Sequence, residues 1–183
     1  MSVIFLGPQS AENGTNVNYI DFELRWYDSN SNYQTIDSAT IFKIWMKPTS
    51  DNLYPYFQLL NSSGTAQNLS YQSIYQYAST LSRNYSNNTT AISTSYGCYN
   101  DSQANHEGTH IYLQGQSKAS NFDDSNILKA SVHHFRSSYA FHEYFTILPY
   151  YSLSSNSEWA TARLYFNNTS SANIADYKIF AGV

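Results

Sequence analysis

Hydrophobic and polar residues alternate with a period of two along most of this chain. Phe22, Leu24 and Trp26 alternate with Glu23 and Arg25. Similar runs occupy residues 40–47, 110–114, 127–135, 144–148 and 160–166. Because successive side chains of a β-strand point to opposite faces, these runs predict half-buried strands. Short strands separated by turns rich in Asn, Ser and Gly predict an all-β fold, namely a single antiparallel β-sandwich, jelly-roll-like, with little helix.

The apolar members of the alternating runs form the predicted core. We expect the following side chains to point inward: Phe22, Leu24, Trp26, Phe42, Ile44, Leu164, Phe166 and Ile179. Residues 71–83 fit both helical and strand spacing, and their aromatic, Ser and Thr content favours a strand. Residues 86–105 are predicted to form a long polar loop.

The chain is predicted to contain one domain, with residues 1–15 as an N-terminal arm or edge segment and residues 16–183 as the β-sandwich domain. The apolar run Val3, Ile4, Phe5 and Leu6 is shorter than the ~7–15 residues of a signal-peptide core, and no basic residue precedes it. No stretch approaches the ~18 apolar residues of a membrane span, so no membrane partner is expected. The run is therefore interpreted either as an arm laid on a neighbouring subunit or as the first core strand.

The composition is aromatic and poor in charge. Aromatic residues make up 17% of the chain, including 18 Tyr, whereas charged residues make up only 12%. Neutral polar side chains on an aromatic scaffold suit pleated, half-buried surfaces. The net charge of −4 and the scattered basic residues argue against nucleic-acid binding. The single cysteine, Cys98, excludes an internal disulfide.

No pattern of residues predicts catalysis. His106 and His110 are four residues apart, which would suit zinc on a helix. In a strand, however, that spacing separates them by ~13 Å, so only a tight turn could bring them together. His133 and His134 should point to opposite faces of one strand. We expect no catalytic residue, no metal and no cofactor.

The tyrosine surplus predicts an interaction surface. Exposed Tyr and Trp stack on sugar rings or anchor protein partners. Together with the N-terminal run Val3, Ile4, Phe5 and Leu6, the candidate interface residues are Tyr54, Tyr56, Tyr150 and Tyr151. The alternative is that such residues form cross-strand Tyr pairs on a solvated sheet face.

The order of short elements along the chain resembles a β-sandwich domain of virion proteins of marine tailed phages. The elements are Ile20-Asp-Phe22, an apolar strand over 41–46, Pro48-x-x-Asp51, a Ser63-Gly64 turn, Tyr71-x-x-x-Tyr75-x-Tyr77, and the ending Asn173-Ile-Ala-x-x-Lys-Ile-Phe-x-Gly182. This ending departs from the Leu-Tyr-Gly that is usual in the family.

The resemblance implies a non-enzymatic structural protein on the virion surface, as a capsid decoration or accessory protein that is assembled in the host cytoplasm. Its expected partners are phage capsid or tail proteins, in a homo-oligomer or multivalent array. The alternative is a tail-fibre or spike receptor-binding module that recognises host-surface glycan.

Overall fold

The structure, a computed structural model, describes residues 3–7, 17–27, 33–35, 41–61, 63–98, 108–116, 127–136, 139–149, 160–167 and 172–182. None of these residues is helical. In chain order the strands are β1 (Val3–Gly7), β2 (Tyr19–Glu23), β3 (Arg25–Tyr27), β4 (Tyr33–Thr35), β5 (Ile41–Pro48), β6 (Pro55–Leu60), β7 (Leu69–Tyr77), β8 (Thr80–Thr89), β9 (Ile92–Ser93), β10 (Thr109–Gln116), β11 (Ile127–Arg136), β12 (Tyr139–Pro149), β13 (Thr161–Phe166) and β14 (Ile174–Gly182).

Two antiparallel sheets pack face to face. In the described part of the chain, the large sheet has eight strands in the order β1-β14-β5-β10-β11-β12-β7-β8. The small sheet has four, in the order β2-β13-β6-β9, and β3 pairs with β4 in a separate ribbon. These sheets confirm the predicted all-β, antiparallel β-sandwich with little helix.

Nested strand pairs make the sandwich jelly-roll-like. β5 pairs with β14 and β7 with β12 in the large sheet, while β6 pairs with β13 in the small one. The first half of the chain therefore lies along the second half as one long folded ribbon that crosses from sheet to sheet. Such wrapping buries the inner faces of both sheets against each other.

The core lies between the inner faces of the two sheets. Across it, the ring of Phe57 meets that of Phe145 edge-on, with centroids 5.7 Å apart, and Phe22 lies 5.4 Å from Phe42. Seven of the predicted core residues are confirmed as buried: Phe22, Leu24, Phe42, Ile44, Leu164, Phe166 and Ile179. The side chain of Trp26 lies outside the described part.

The predictions for residues 71–83 and 86–105 have different outcomes. Residues 71–83 belong to β7 and β8, joined by a turn at Ala78, which confirms the preference for strand. The predicted loop over 86–105 is wrong in its first part, because β8 continues to Thr89 and β9 pairs with β6. β8 is an edge strand whose two faces are both largely polar and accessible, so it lacks the apolar alternation that reveals a strand.

The N-terminal run forms the edge strand β1. Val3 lies opposite Gly182 and Ile4 opposite Ala181, so this strand pairs with β14 of the same chain. The side chains of this run lie outside the described part. The backbone pairing nevertheless places it at the opposite edge of the large sheet from β8.

Truncation of Phe166 tests the core. Phe166 is fully buried on β13, so we expect Phe166→Ala to lower the free energy of unfolding by about 3–5 kcal/mol. Urea denaturation measures the change. Tyr85→Ala, at a residue that is 75% exposed, is the control and should cost less than about 0.5 kcal/mol. Equal effects of the two variants would contradict the inward placement of Phe166.

Candidate functional site

The outer face of the large sheet carries a grid of side chains from three adjacent strands. β10, β11 and β12 pair in continuous antiparallel register, so residues on the three strands lie side by side in rows. The rows are His110–His133–His142, Tyr112–Ser131–Tyr144 and Gln114–Lys129–Thr146. These side chains are exposed or half-buried, while their neighbours along each strand are buried in the core.

The first row brings three imidazoles together on neighbouring strands. Nδ1 of His133 lies 2.5 Å from Nδ1 of His142, and the ring centroids are 4.8 Å apart. A neutral imidazole has one donor and one acceptor nitrogen. The contact therefore allows the Nδ1–H of one ring to donate a hydrogen bond to the unprotonated Nδ1 of the other.

The surroundings of the histidines oppose protonation. The pKa of His133 is lowered by burial first, and then by His142 and His110. The pKa of His110 is lowered by burial and by the nearby Lys43 ammonium. Burial penalises the charged imidazolium and neighbouring positive charge repels it, so both effects favour the neutral form of these two rings.

The second row forms a slot in the middle of the sheet face. Tyr112 and Tyr144 lie on either side of Ser131, whose small side chain leaves a gap between the two rings. His133 closes one end, because its ring meets both tyrosine rings edge-on at 5.6 and 5.7 Å. The gap is part of an open groove of about 600 Å³ that extends to Gln114 and other residues of the third row. We call it the Ser131 slot.

The slot lies on a face with excess positive charge. Its cations include Lys129, Lys43, Lys178 and Arg83, of which Lys43 and Lys178 lie over the rings of Tyr112 and Trp45. On the described strands of the large sheet the carboxylates are Glu143, which points inward, and Asp176 of β14, which lies opposite Lys47. This face is therefore basic although the chain as a whole carries a net charge of −4.

Glu143 is fully buried beneath the grid. Its carboxylate accepts hydrogen bonds from the hydroxyl of Ser73 at 2.6 Å, from the hydroxyl of Ser95 at 3.0 Å and from the backbone N–H of Ser95 at 2.8 Å. Burial raises the pKa of Glu143, and these hydrogen bonds offset part of the rise. The carboxylate thereby ties β7 and β12 to the segment that follows β9.

This buried carboxylate is not among the residues predicted from the sequence, although the sequence contains a signal for it. Glu143 has the same parity along β12 as Phe141 and Phe145, which are both buried. Residues of one parity share one face of a strand. The alternation therefore predicts an inward carboxylate, which is an uncommon feature that requires hydrogen-bond partners.

His134 lies on the face opposite to His133, which confirms the sequence prediction for this pair. His134 is buried and stacks on Phe141 with ring centroids 4.6 Å apart. Its Nδ1 lies 3.5 Å from the hydroxyl of Thr109. Tyr96 packs edge-on against the same Phe141 ring. This histidine is thus part of an aromatic cluster inside the sandwich.

The predicted interface tyrosines do not form one site in the described part. Tyr56 is half-buried and stacks on Tyr165 of β13, with centroids 5.3 Å apart. Tyr54 is half-buried, and its backbone N–H donates to the side chain of Asn167. Tyr150 and Tyr151 lie outside the described residues, and the run from Val3 to Leu6 lies in β1.

The outer face of the small sheet holds an ion pair. Arg163 donates two hydrogen bonds to the carboxylate of Asp21, at 2.6 and 2.7 Å, and its guanidinium lies 4.0 Å from the ring centre of Tyr19. Asp21 raises the pKa of Arg163. This bidentate geometry holds β2 to β13, so its main effect is structural.

Within the described ranges, no three His, Cys, Asp or Glu side chains gather into a group that could hold a metal ion. His106 lies outside those ranges, so the expected separation of His106 from His110 and the expected absence of a metal stay predictions. The described residues include no helix able to cross a membrane. No protein-family model, curated protein or solved structure matches this chain.

The buried carboxylate predicts a stability that depends on pH. A raised pKa in the folded state means that folding favours the protonated form of Glu143. Its contribution to the free energy of unfolding is therefore fully present below about pH 4.3 and is lost as pH rises through the folded-state pKa. In Glu143→Gln the amide oxygen can accept a hydrogen bond from the backbone N–H of Ser95, while the amide nitrogen can donate to the hydroxyls of Ser73 and Ser95. We expect this variant to gain stability over the wild type as pH increases from 4 to 8.

Urea denaturation across that pH range measures the difference. Glu143→Leu is the matched comparison, because it leaves the half-buried Ser95 N–H without its acceptor and should cost about 1–3 kcal/mol. A stability difference between Glu143→Gln and the wild type that does not change with pH would contradict the raised pKa.

The imidazole pair predicts that stability changes with pH in the direction opposite to the effect of Glu143. The lowered pKa of His133 means that its contribution to stability is present above about pH 6.5 and is lost as pH falls through the folded pKa. We expect His133→Gln to lose less stability than the wild type between pH 7.5 and pH 5, as measured by thermal unfolding. Lys129→Gln, on the same strand, serves as the control. If both variants follow the wild-type curve, His133 does not titrate in this range.

Proposed function

We propose that this chain is a non-enzymatic structural protein on the surface of a tailed-phage virion, where it acts as a capsid decoration or accessory protein. The order of its sequence elements supports the phage context. The observation that carries the proposal is an exposed apolar patch on β7, β8 and β12. It consists of Ile74, Leu81, Tyr85 and Tyr144, which are 51%, 70%, 75% and 57% exposed.

The four residues of this patch lie on one side of the large sheet. Ile74 lies directly opposite Tyr144, while Leu81 and Tyr85 lie opposite Gln76 and Gln72 on the next strand. Exposed apolar side chains around a single Arg, with neutral amides beside them, are the composition of a protein-docking surface. Such a surface suits a protein that attaches to a particle.

Attachment should rest on apolar contact and neutral hydrogen bonds. Charged residues make up only 12% of the chain, and the lysines of this face, Lys43, Lys129 and Lys178, lie on β5, β11 and β14, outside the patch. Arg83 is the only charged residue of β8, and it lies opposite Ile74 within the patch. On a symmetric particle, many copies can dock at equivalent positions, and copies that are linked to one another bind with higher overall affinity than a single copy.

A second function, recognition of host-surface glycan by a tail-fibre or spike module, is favoured by the Ser131 slot. Two tyrosine rings with amide, hydroxyl and ammonium groups beside them form a mixed apolar and polar groove. Small-molecule sites have this combination, in which apolar walls supply contact and a few polar groups fix orientation.

Localisation on the particle tests the first function. Antibody raised against the recombinant protein should label the surface of the virions in immuno-electron microscopy, with labelling of either capsid or tail. The control is that the antibody recognises the purified protein. If it does and no particle is labelled, that result would falsify the proposal.

Re-attachment of purified protein to particles that lack it tests the patch. We expect the double variant Leu81→Asn/Tyr85→Ser to attach at least about tenfold more weakly, since apolar anchors dominate interfaces. Tyr19→Ser on the small sheet is the matched control and should attach normally. Raising the salt from 0.1 to 0.5 M should change attachment less than about threefold, because exposed charges contribute little. A larger salt effect with an unaffected double variant would indicate electrostatic docking elsewhere.

A further inference from the structure

We propose that the Ser131 slot binds one ring of a carboxylated saccharide between Tyr112 and Tyr144, with the carboxylate at Lys129. This inference rests on the second function above, glycan recognition, and adds the position of the ring and the chemical class of the sugar.

The dimensions of the slot suit one flat ring. Tyr112 and Tyr144 are in register with Ser131 on the strands to either side of it. Their Cα atoms are thus separated by two strand spacings, or about 9.5 Å. A ring that contacts both tyrosines needs about 3.5–4.0 Å on each side. Ser131, the only small side chain in this row of the grid, forms the floor.

The walls of the slot are chemically suited to a sugar. The face of a tyrosine ring carries partial negative charge and attracts partly positive C–H groups, which a pyranose ring presents on its two faces. The hydroxyl of Ser131 and the side chains of Gln114 and Thr146 supply neutral hydrogen-bonding groups around the ring. Half-buried Tyr112 and exposed Tyr144 are both accessible from solvent.

The charge at the open end favours an acid over a neutral sugar. Lys129 is exposed and lies on the same strand as Ser131, at the end of the slot away from His133. Its register neighbours Gln114 and Thr146 are uncharged, and Glu143 points into the core. A ligand carboxylate at this end therefore meets an ammonium group without a competing carboxylate on the described strands around it. Such charge-assisted hydrogen bonds are stronger than neutral ones.

The slot is built on rigid elements. β10, β11 and β12 are central strands of the sheet, each paired on both sides. His133 contacts both walls, and the carboxylate of Glu143 anchors β12 from below. A site whose walls are already held in place loses little conformational entropy on binding.

Binding to a panel of immobilised saccharides tests the inference. The panel contains galacturonate, glucuronate and N-acetylneuraminate, each beside a neutral counterpart, which is galactose, glucose or the methyl ester of N-acetylneuraminate. A single-stranded oligothymidylate is included to test for nucleic-acid binding. We expect at least one carboxylated saccharide to bind and its neutral counterpart to bind at least about tenfold more weakly, because the charge-assisted hydrogen bond is lost.

Two substitutions locate the site. Ser131→Tyr fills the slot with a side chain that a central strand accommodates well, and it should reduce binding at least about tenfold. Lys129→Gln should reduce binding of the acid about tenfold and leave the neutral sugar unaffected. Tyr19→Ala on the opposite sheet is the control for both, and melting temperatures close to that of the wild type establish that each variant is folded.

Each outcome decides between the proposals. Saccharide binding that is independent of the carboxylate, or unchanged in Ser131→Tyr, overturns the inference but leaves glycan recognition in place. Binding to no saccharide overturns both, while labelled virions would still support the structural function. Oligothymidylate binding that is lost in Ser131→Tyr would assign the slot to nucleic acid instead.

Discussion

The pairing of β13 and β14 with strands from the first half of the chain is the constraint on which the sandwich depends. β14 lies between β1 and β5 in the large sheet, and β13 lies between β2 and β6 in the small sheet. These two consecutive strands therefore close both sheets at once. Their contacts join residues more than a hundred positions apart, such as Phe42 and Ala181. Because the entropy of such long loops must be lost before the contacts form, this pairing should form late in folding.

Closing the sandwich also determines what its outer faces present. Once Ile44, Ile111 and Val132 face the core, their neighbours on the same strands must face outward. The histidine row and the Ser131 slot are thus consequences of core burial in β10, β11 and β12. A shift of one residue in β11 would exchange its two faces and would bury Lys129 and His133.

The faces of individual strands could be predicted from the sequence, but their neighbours could not. The alternation around Phe42, Leu164 and Phe166 was sufficient to place these side chains inside. It also separated His133 from His134. The slot, however, depends on the register between strands. No local sequence pattern predicts that Tyr112 lies two strands away from Tyr144. β8 was missed beyond residue 85 because an edge strand with two accessible faces needs no apolar alternation, and the polar segment therefore resembled a loop.

One short segment of β12 links the stability of the sandwich to the chemistry of its surface. His142, Glu143 and Tyr144 are consecutive, yet they face solvent, core and solvent in turn. The buried carboxylate needs the three hydrogen bonds from Ser73 and Ser95, since an ionised group without partners would strongly destabilise the fold. Those bonds position β12, and β12 positions one wall of the slot and one member of the imidazole pair. A polar group inside the core thus contributes to the geometry of a binding surface that it never touches.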